Sequence, residues 1–314
     1  MDFELNEDQR AILEAVDSLL ERHAGAERAI ELAAKLEYDH TLDQALEEAG
    51  FLELALGEDT GPLEAALVVQ AVARAGGVVS IGASALVVPV TAGRTLPGPI
   101  ALVQTGHEGP IRFGAHARSL LTLDGDEARW IALGPGDSEP VRSSFGYPVG
   151  QLRAGQGKSF GPGSGERMRS WWRVALAAEA VGAMDAALEI TLEYVKQRRQ
   201  FGRAIGSFQA VQHRLAECAV LLEGSRWLTQ EAAWQGAPAE AAATAAAHAL
   251  AAANRIFVET HQLSGAIGYT REHDLHVWSM RLQALRLELD SIGAHRRAVA
   301  QLRWDTSSGP GREH

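Results

Sequence analysis

The sequence predicts a mainly α-helical protein with a small β domain in its middle. Apolar residues recur three and four positions apart through roughly the first ninety residues and again from Met168 almost to the end, which is helical spacing. Between Leu96 and Gly165 the pattern changes to short apolar runs separated by Gly, Pro and Asp, which is typical of strands and turns. The chain has 314 residues, 46% of them hydrophobic, so it is long enough for three such units.

An N-terminal helical domain is predicted over residues 1–95. It opens with a helix whose apolar residues share one face behind a capping residue, either Asn6 or Asp8. Further helices follow, each ended by Gly or Pro, over residues 26–36, 42–49, 63–75 and 81–88.

A reduced β domain and a linker are predicted over residues 96–165. The predicted strands are the apolar runs Ile100–Val103, Leu120–Leu123 and Trp130–Leu133. The segment Gln156–Gly165 is rich in Gly and Ser and is predicted to be the linker.

A C-terminal bundle of four long helices is predicted over residues 166–305. Short loops between the helices favour an antiparallel arrangement. The four helices are Trp171–Gln200, Ser207–Gln235, Pro238–Leu263 and His273–Leu302. The polar residues 306–314, which contain Gly and Pro, are predicted to be a flexible tail.

Composition and charge exclude several classes of function. No apolar run reaches the ~18 residues of a membrane span, and the chain begins with acidic residues where a signal peptide is basic, so a cytoplasmic location is predicted. The single cysteine, Cys218, excludes an internal disulfide and a thiolate metal cluster. His273 and His276 lack the further ligands of a metal site. A net charge of -11 argues against nucleic-acid binding, so an anionic ligand must be met by a local basic cluster.

The segment from Tyr194 to Gln209 contains such a cluster. A helix that ends at Gly202 would carry Arg198 and Arg199 in its last turn, and Ser207 is placed to cap the next helix. Positive side chains, backbone N–H groups and an aromatic ring would then meet in one turn, which suits a dinucleotide. The alternative is purely structural, because many helices finish with a basic turn followed by glycine.

Two segments resemble the flavin-contacting motifs of the acyl-CoA dehydrogenase family. The first is Tyr-x-x-x-Arg-x-Gln-Phe-Gly-x-x-Ile-x-x-Phe-Gln, over residues 194–209. The second, residues 262–269, is similar to the family's Gln-x-x-Gly-Gly-x-Gly-Tyr, with Ala266 in place of the second glycine. The resemblance implies an acyl-CoA dehydrogenase-like fold and an FAD cofactor.

In that family each FAD lies at a subunit interface, and these two motifs hold the adenosine-diphosphate end of a flavin whose ring lies in the neighbouring subunit. A diphosphate needs a fixed cation and exposed N–H donors, which such turns provide. The resemblance implies three groups of contacts, namely Arg198, Gln200 and Phe201 at the diphosphate, Ile205, Phe208 and Gln209 at the adenosine, and Gln262, Gly265 and Ala266 on the far side of the diphosphate.

The family removes an α proton from its substrate with a glutamate, and neither family position for this base is matched. The first position holds Trp172. The second falls within residues 286–293, where Asp290 is nearest to the expected register and Glu288 is its neighbour, predicted to lie on a solvated helix face. The middle domain also lacks the family's Gly-Ser-Asp segment. No catalytic residue is therefore predicted, and Asp290 and Glu288 are reserve candidates.

With these departures, the chain resembles the smaller, degenerate subunit of a heteromeric α2β2 acyl-CoA dehydrogenase of the steroid-degrading kind. The resemblance implies a larger catalytic partner subunit that holds the isoalloxazine and the base, a steroid side-chain acyl-CoA substrate and an electron acceptor. Two alternatives stay open. The chain could be a self-sufficient homomeric acyl-CoA dehydrogenase that uses Asp290 or Glu288, or a non-catalytic helical scaffold without flavin.

Overall fold

The computed structural model describes residues 4–153 and 155–304, so the predicted tail 306–314 lies outside the described residues. Helices occupy both ends of this part of the chain, and the longer β-strands lie between them. The predicted fold class is therefore confirmed. In the described residues no helix combines the length and the apolar character needed to cross a membrane.

The N-terminal helices pack their apolar faces into a shared core. They are α1 (Glu7–His23), α2 (Ala26–Lys35), α3 (His40–Glu48), α4 (Pro62–Arg74) and α5 (Val88–Ala92), with a π-helical turn over Gly82–Val87. The predicted cap at Asn6 is confirmed, because its side chain accepts from the backbone N–H of Gln9 at 2.8 Å and the Gln9 side chain accepts in return at 3.1 Å.

The middle of the chain forms two small sheets with strand orders β1-β3-β4-β7 and β2-β6-β5. The strands are β1 (Ile100–Gln104), β2 (Ile111–Arg112), β3 (Ser119–Asp124), β4 (Glu127–Ala132), β5 (Ser138–Val141), β6 (Val149–Leu152) and β7 (Lys158–Pro162). Strands β1 and β3 run parallel, and the other pairs are antiparallel. The predicted linker 156–165 was wrong over most of its length, because β7 pairs with β4 there.

Helix α6 (Ser164–Gln197) is the central helix of the C-terminal region. It packs against α4 and against the two other long helices, α7 (Gln209–Trp234) and α8 (Ala239–Ser264). Apolar residues are buried on every face of its middle turns, as expected for a helix surrounded by other helices. Cys218 is fully buried in α7.

The end of α6 differs from the prediction. The helix stops at Gln197 rather than at Gly202, because two short strands, β8 (Arg199–Gln200) and β9 (Arg203–Ala204), pair as a hairpin. Phe201 and Gly202 form the hairpin turn with φ angles of 53° and 82°, which a right-handed helix cannot contain.

The start of α7 also differs from the prediction. Ser207 is not the N-cap, because its hydroxyl donates to the carbonyl oxygen of Ala204 at 2.7 Å within a 3-10 turn. Phe208 is the N-cap residue, and its side chain offers no acceptor. The first N–H groups of α7 therefore have no capping side chain.

The predicted fourth helix is broken into α9 (Leu275–Leu285) and α10 (Ser291–Trp304). Between them, Leu289, Asp290 and Ser291 have φ angles of 48°, 61° and 73°. This left-handed conformation is unfavourable for residues other than glycine and ends the helix. The α9–α10 loop, residues 286–290, is the segment in which the reserve base candidates lie.

Gly182 marks a close approach of α6 to α4. A Cβ at this position would collide with the carbonyl oxygen of Gln70 and lie 2.8 Å from the backbone nitrogen of Arg74. Because backbone atoms of a packed helix cannot move aside cheaply, we expect Gly182→Ala to lower the free energy of unfolding by about 1–3 kcal/mol in denaturant titrations. Gly293→Ala in α10 is the matched control. Its new methyl meets only the flexible end of Arg297 at 3.3 Å, so we expect it to stabilise by about 0.5–1 kcal/mol. Equal effects of the two changes would contradict the helix contact.

Candidate functional site

The first candidate site is the surface turn, residues 198–209, between α6 and α7. Arg198, Gln200 and Gln209 are exposed there, and the Phe201 side chain is 90% exposed. In the described residues, the Arg198 guanidinium has no ion-pair or hydrogen-bond partner. The turn therefore presents an apolar ring and a solvated positive charge side by side at the surface.

The rings of the surface turn form a small aromatic cluster. Phe201 and Phe208 pack edge to face with their centroids 6.2 Å apart, and the Arg203 guanidinium lies 4.0 Å above the Phe208 ring. Ile205 is half-buried and packs against the core, which anchors the turn. Arg203 was not predicted to take part, although it lies in the same segment as Arg198 and Arg199.

The second candidate segment, residues 262–269, ends α8 and forms a 3-10 turn. Gln262, Gly265 and Ala266 are exposed, and nothing lies within 4 Å of the position that a Cβ on Gly265 would take. Gly268 differs, because it is buried and its Cβ would lie 2.8 Å from that of Ser264. Gly265 thus leaves open backbone at the surface, whereas Gly268 serves packing.

The structure brings the helix before the surface turn into contact with the loop after the second segment. The ring of Tyr194, in the last turn of α6, packs edge to face on the ring of His273 with centroids 5.6 Å apart. The two motifs therefore share one end of the helical region. Exposed amides, an unpaired arginine and flat rings in one region can hold a dinucleotide.

The second candidate site is a buried ion cluster formed by Arg112, Glu179 and Glu288. Arg112 lies on β2, Glu179 in the middle of α6 and Glu288 in the α9–α10 loop. The Arg112 guanidinium donates Nε to Glu288 at 2.6 Å and Nη1 to Glu179. The side chains of the three residues are only 14%, 5% and 18% exposed.

Aromatic rings surround the cluster. The Arg112 guanidinium lies 5.1 Å from the ring centroids of both Phe113 and Tyr147. The guanidinium of Arg281 lies 4.9 Å from the Tyr147 centroid. Trp172 donates its indole N–H to the second carboxylate oxygen of Glu288 at 2.8 Å. Both oxygens of Glu288 therefore accept hydrogen bonds from this chain.

Burial and charge act in opposite directions on the ionisable groups of the cluster. Burial alone would lower the pKa of the Arg112 guanidinium, but the carboxylates of Glu179 and Glu288 outweigh it and raise that pKa well above its ordinary value. Burial raises the pKa of Glu179, and the charge of Arg112 opposes this rise. Burial lowers the pKa of Arg281.

The two positions predicted for a family base lie together in one cleft. Trp172 and Glu288 line this cleft with Arg112, Tyr147 and Asp290, and apolar residues of β1, β2, β6 and the α9–α10 loop form the remaining wall. The prediction that Glu288 lies on a solvated helix face was wrong, because Arg112 and Trp172 hold it inward. Asp290 is exposed at the rim, where it accepts from the Gln104 side chain at 3.3 Å.

Comparisons with known proteins agree with the motifs and the fold. The acyl-CoA dehydrogenase C-terminal domain family matches residues 167–301. Acyl-CoA dehydrogenase IpdE2 of Mycobacterium tuberculosis is 30% identical over 307 residues, which cover 91% of this chain and 94% of IpdE2.

Solved structures show the same fold at lower identity. The ChsE4-ChsE5 complex from Mycobacterium tuberculosis matches with a TM-score of 0.78 and 22% identity, covering 99% of this chain and 100% of that chain. The steroid acyl-CoA dehydrogenase Tcur3481-Tcur3483 matches with a TM-score of 0.78 and 23% identity, covering 96% and 99%. The structures establish the fold, and the similarity to IpdE2 along nearly its whole length establishes descent. This chain belongs to the acyl-CoA dehydrogenase family.

Proposed function

We propose that this chain is a subunit of a heteromeric, FAD-dependent acyl-CoA dehydrogenase. In this proposal it holds the adenosine-diphosphate half of an FAD, while a larger partner subunit holds the redox ring and the catalytic glutamate. The observation that carries the proposal is a contrast within the chain. The surface turn offers Arg198 exposed and, among described residues, unpaired, whereas the cleft at the base positions is lined by Trp172 and by Glu288, whose carboxylate is bound by both Arg112 and Trp172.

The residues of the surface turn fit a dinucleotide. Arg198 would neutralise the diphosphate with Gln200 beside it, and the uncapped N-terminus of α7 would add backbone donors. Phe201 would flank the diphosphate beside Gln200, and Phe208 would meet the adenosine with Ile205 and Gln209. When bound, FAD supplies the hydride acceptor for the desaturation.

The second segment would close on the diphosphate from the other side. Gln262 is exposed there and can donate or accept through its amide. Gly265 leaves open space where another residue would place a Cβ, so a ligand can approach its backbone. Ala266 is exposed as well, and its small side chain leaves the surface of the turn open to a ligand.

The chemistry of the cleft argues for a base on another subunit. An α proton is removed by a carboxylate that is free to accept it in a water-poor pocket. Trp172 cannot accept a proton, and both oxygens of Glu288 are already used by Arg112 and Trp172. Asp290 accepts only from the exposed Gln104 side chain among the described residues, but it faces solvent at the rim. None of the three meets both requirements.

The proposed substrate is an acyl-CoA with a steroid side chain as its acyl group, and the electrons would pass to a separate acceptor. The name of Tcur3481-Tcur3483 as a steroid acyl-CoA dehydrogenase supports this substrate class. The structure of ChsE4 with ChsE5 as a complex supports a second subunit.

Arg198→Ala tests the proposal in the complex purified with its partner. Losing charge-assisted hydrogen bonds to a diphosphate should raise the dissociation constant of FAD about 10–100-fold, measured from flavin absorbance or fluorescence. Arg199→Ala is the matched control, since it removes the same charge from the next residue, a position that the motif leaves unspecified. It should raise the dissociation constant less than about threefold.

Three results would count against the proposal. Equal losses in the two arginine variants would indicate general electrostatic attraction rather than a diphosphate site. Unchanged flavin content in both would favour the scaffold alternative. Flavin and turnover in the chain purified alone would favour the homomeric alternative, and loss of that turnover in Asp290→Asn or Glu288→Gln would then identify its base.

A further inference from the structure

Arg112 joins three separate parts of the molecule. Its backbone belongs to β2, and its guanidinium reaches Glu179 on α6 and Glu288 in the α9–α10 loop. The two partners are 67 and 176 positions away along the chain. The loop is thereby tied to the β-sheet through one side chain.

The room for this contact is built into the fold. The Glu179 carboxylate lies against Gly82 in the π-helical turn, where a Cβ would collide with its oxygen. π-helical turns are rare and are frequent at functional sites, because they re-aim the backbone locally. Glu179 is the carboxylate in the buried middle of α6. Because the turn places a glycine beside it, its side chain has room to face Arg112.

The loop conformation depends on contacts outside the loop. Leu289, Asp290 and Ser291 all have positive φ angles, and such strained residues persist only where the surroundings fix them. Glu288, the preceding residue in the chain, is bound to Arg112 at 2.6 Å and to Trp172 at 2.8 Å. Leu289 is buried in the core, and Asp290 accepts from the Gln104 side chain. Releasing Glu288 removes the ion pair among these fixing contacts.

We propose that Arg112, Glu179 and Glu288 form an autoinhibitory lock that closes this chain's own cleft to a redox ring. Arg112, Tyr147, Trp172 and Glu288 are all wall residues of that cleft, so the lock forms part of the wall while holding the loop against the sheet. Identifying the excluded group as a redox ring rests on the proposed function. The lock gives a reason within this chain for leaving the ring to the partner.

The test uses the full chain alone, hydrogen exchange and lumiflavin, which is the flavin ring without its diphosphate. The reporters of the loop are the amides of Leu287 and Ser291, which donate to Ala284 and Glu288 at 3.0 and 3.2 Å. Glu288→Ala should raise their exchange rates about 10–100-fold, since it removes two hydrogen bonds, one of them charged. The variant should also bind lumiflavin, whereas the unaltered chain should not.

Glu166→Ala is the matched control. It removes a carboxylate from α6, the helix that carries Glu179, and breaks an exposed contact with Arg169. The exchange rates of the loop amides should therefore stay unchanged. If Glu288→Ala fails to fold, the combined change Arg112→Met, Glu179→Leu and Glu288→Ala removes the remaining buried charges and leaves only a methyl group at position 288. That variant should bind lumiflavin too.

Lumiflavin binding by the unaltered chain would overturn the lock, and so would protected loop amides in Glu288→Ala. A folded triple variant that still excludes lumiflavin would also overturn it. None of these results depends on the diphosphate site, which is tested by Arg198→Ala in the complex. Failure of the lock and failure of the proposed function are therefore distinguishable.

Discussion

Arg112→Met alone is expected to lower the free energy of unfolding by about 3–5 kcal/mol, because it leaves two buried carboxylates without their shared cation. Glu179 is 5% and Glu288 18% exposed at the side chain, so water cannot replace the guanidinium fully. Methionine keeps much of the side-chain length, which limits the loss of packing. The measurement is the denaturant midpoint of the chain followed by fluorescence.

The matched control is Arg153→Met, which breaks an ion pair with Glu139. That pair is 3.8 Å long, and its side chains are 82% and 73% exposed, so we expect a change of no more than about 0.5 kcal/mol. The combined apolar replacement of Arg112, Glu179 and Glu288 should recover most of the loss, since it leaves no unpaired charge. If Arg112→Met costs no more than the control, the cluster does not depend on its arginine.

The long helices of the C-terminal region were predictable because their apolar spacing persists over many turns. Helices α7 and α8 begin and end within two residues of the predicted limits 207–235 and 238–263. The strands were harder to predict. The runs at β1, β3 and β4 are apolar, but β2 has only two residues and β5 is polar, so neither carries a periodic signal.

The break between α9 and α10 left no mark in the sequence. The apolar stripe through Leu275, Leu282, Leu285 and Leu289 continues across the break, and no glycine or proline interrupts it. The chain turns there because contacts from elsewhere, above all with Glu288, hold the loop. Local sequence cannot encode a turn that tertiary contacts impose.

The two candidate sites also differ in how far the sequence could predict them. The surface turn was predicted from its motif, because the segment is continuous in the sequence and each residue can be matched in place. Its role stays a prediction. The ion cluster joins residues that are far apart in the chain, so no motif could show it. One signal was available, since Glu179 stands within the apolar run Ala177–Val181 and a buried charge requires a partner.

The unfolding free energy of this chain should depend on pH through His295, which is fully buried in α10. In the described residues neither of its ring nitrogens has a hydrogen-bond partner. Burial, together with the charge of Arg173 and against the opposing charge of Asp290, lowers the pKa of His295 from 6.5 to about 4. Between these two pKa values, His295 is therefore mainly neutral in the folded chain and mainly protonated in the unfolded chain.

The sign of the effect follows from that difference. Between pH 6.5 and 4 the unfolded state binds more protons at this residue, so the stability present above pH 6.5 is lost as the pH falls, by about 3 kcal/mol at most. Asp43 acts in the opposite direction, since burial raises its pKa to about 6 and the folded state then favours the proton. The pH profile of the unaltered chain therefore contains opposing contributions from these two groups.

His295→Leu separates them, because it removes one titration and leaves Asp43 in place. Leucine has a similar volume and no polar atoms, so the variant should match or exceed the unaltered chain in stability at pH 7. Its advantage should grow by about 3 kcal/mol as the pH is lowered from 6.5 to 4 and stay constant below that. A constant advantage across this window would show that His295 takes up its proton in the folded chain as readily as in the unfolded one.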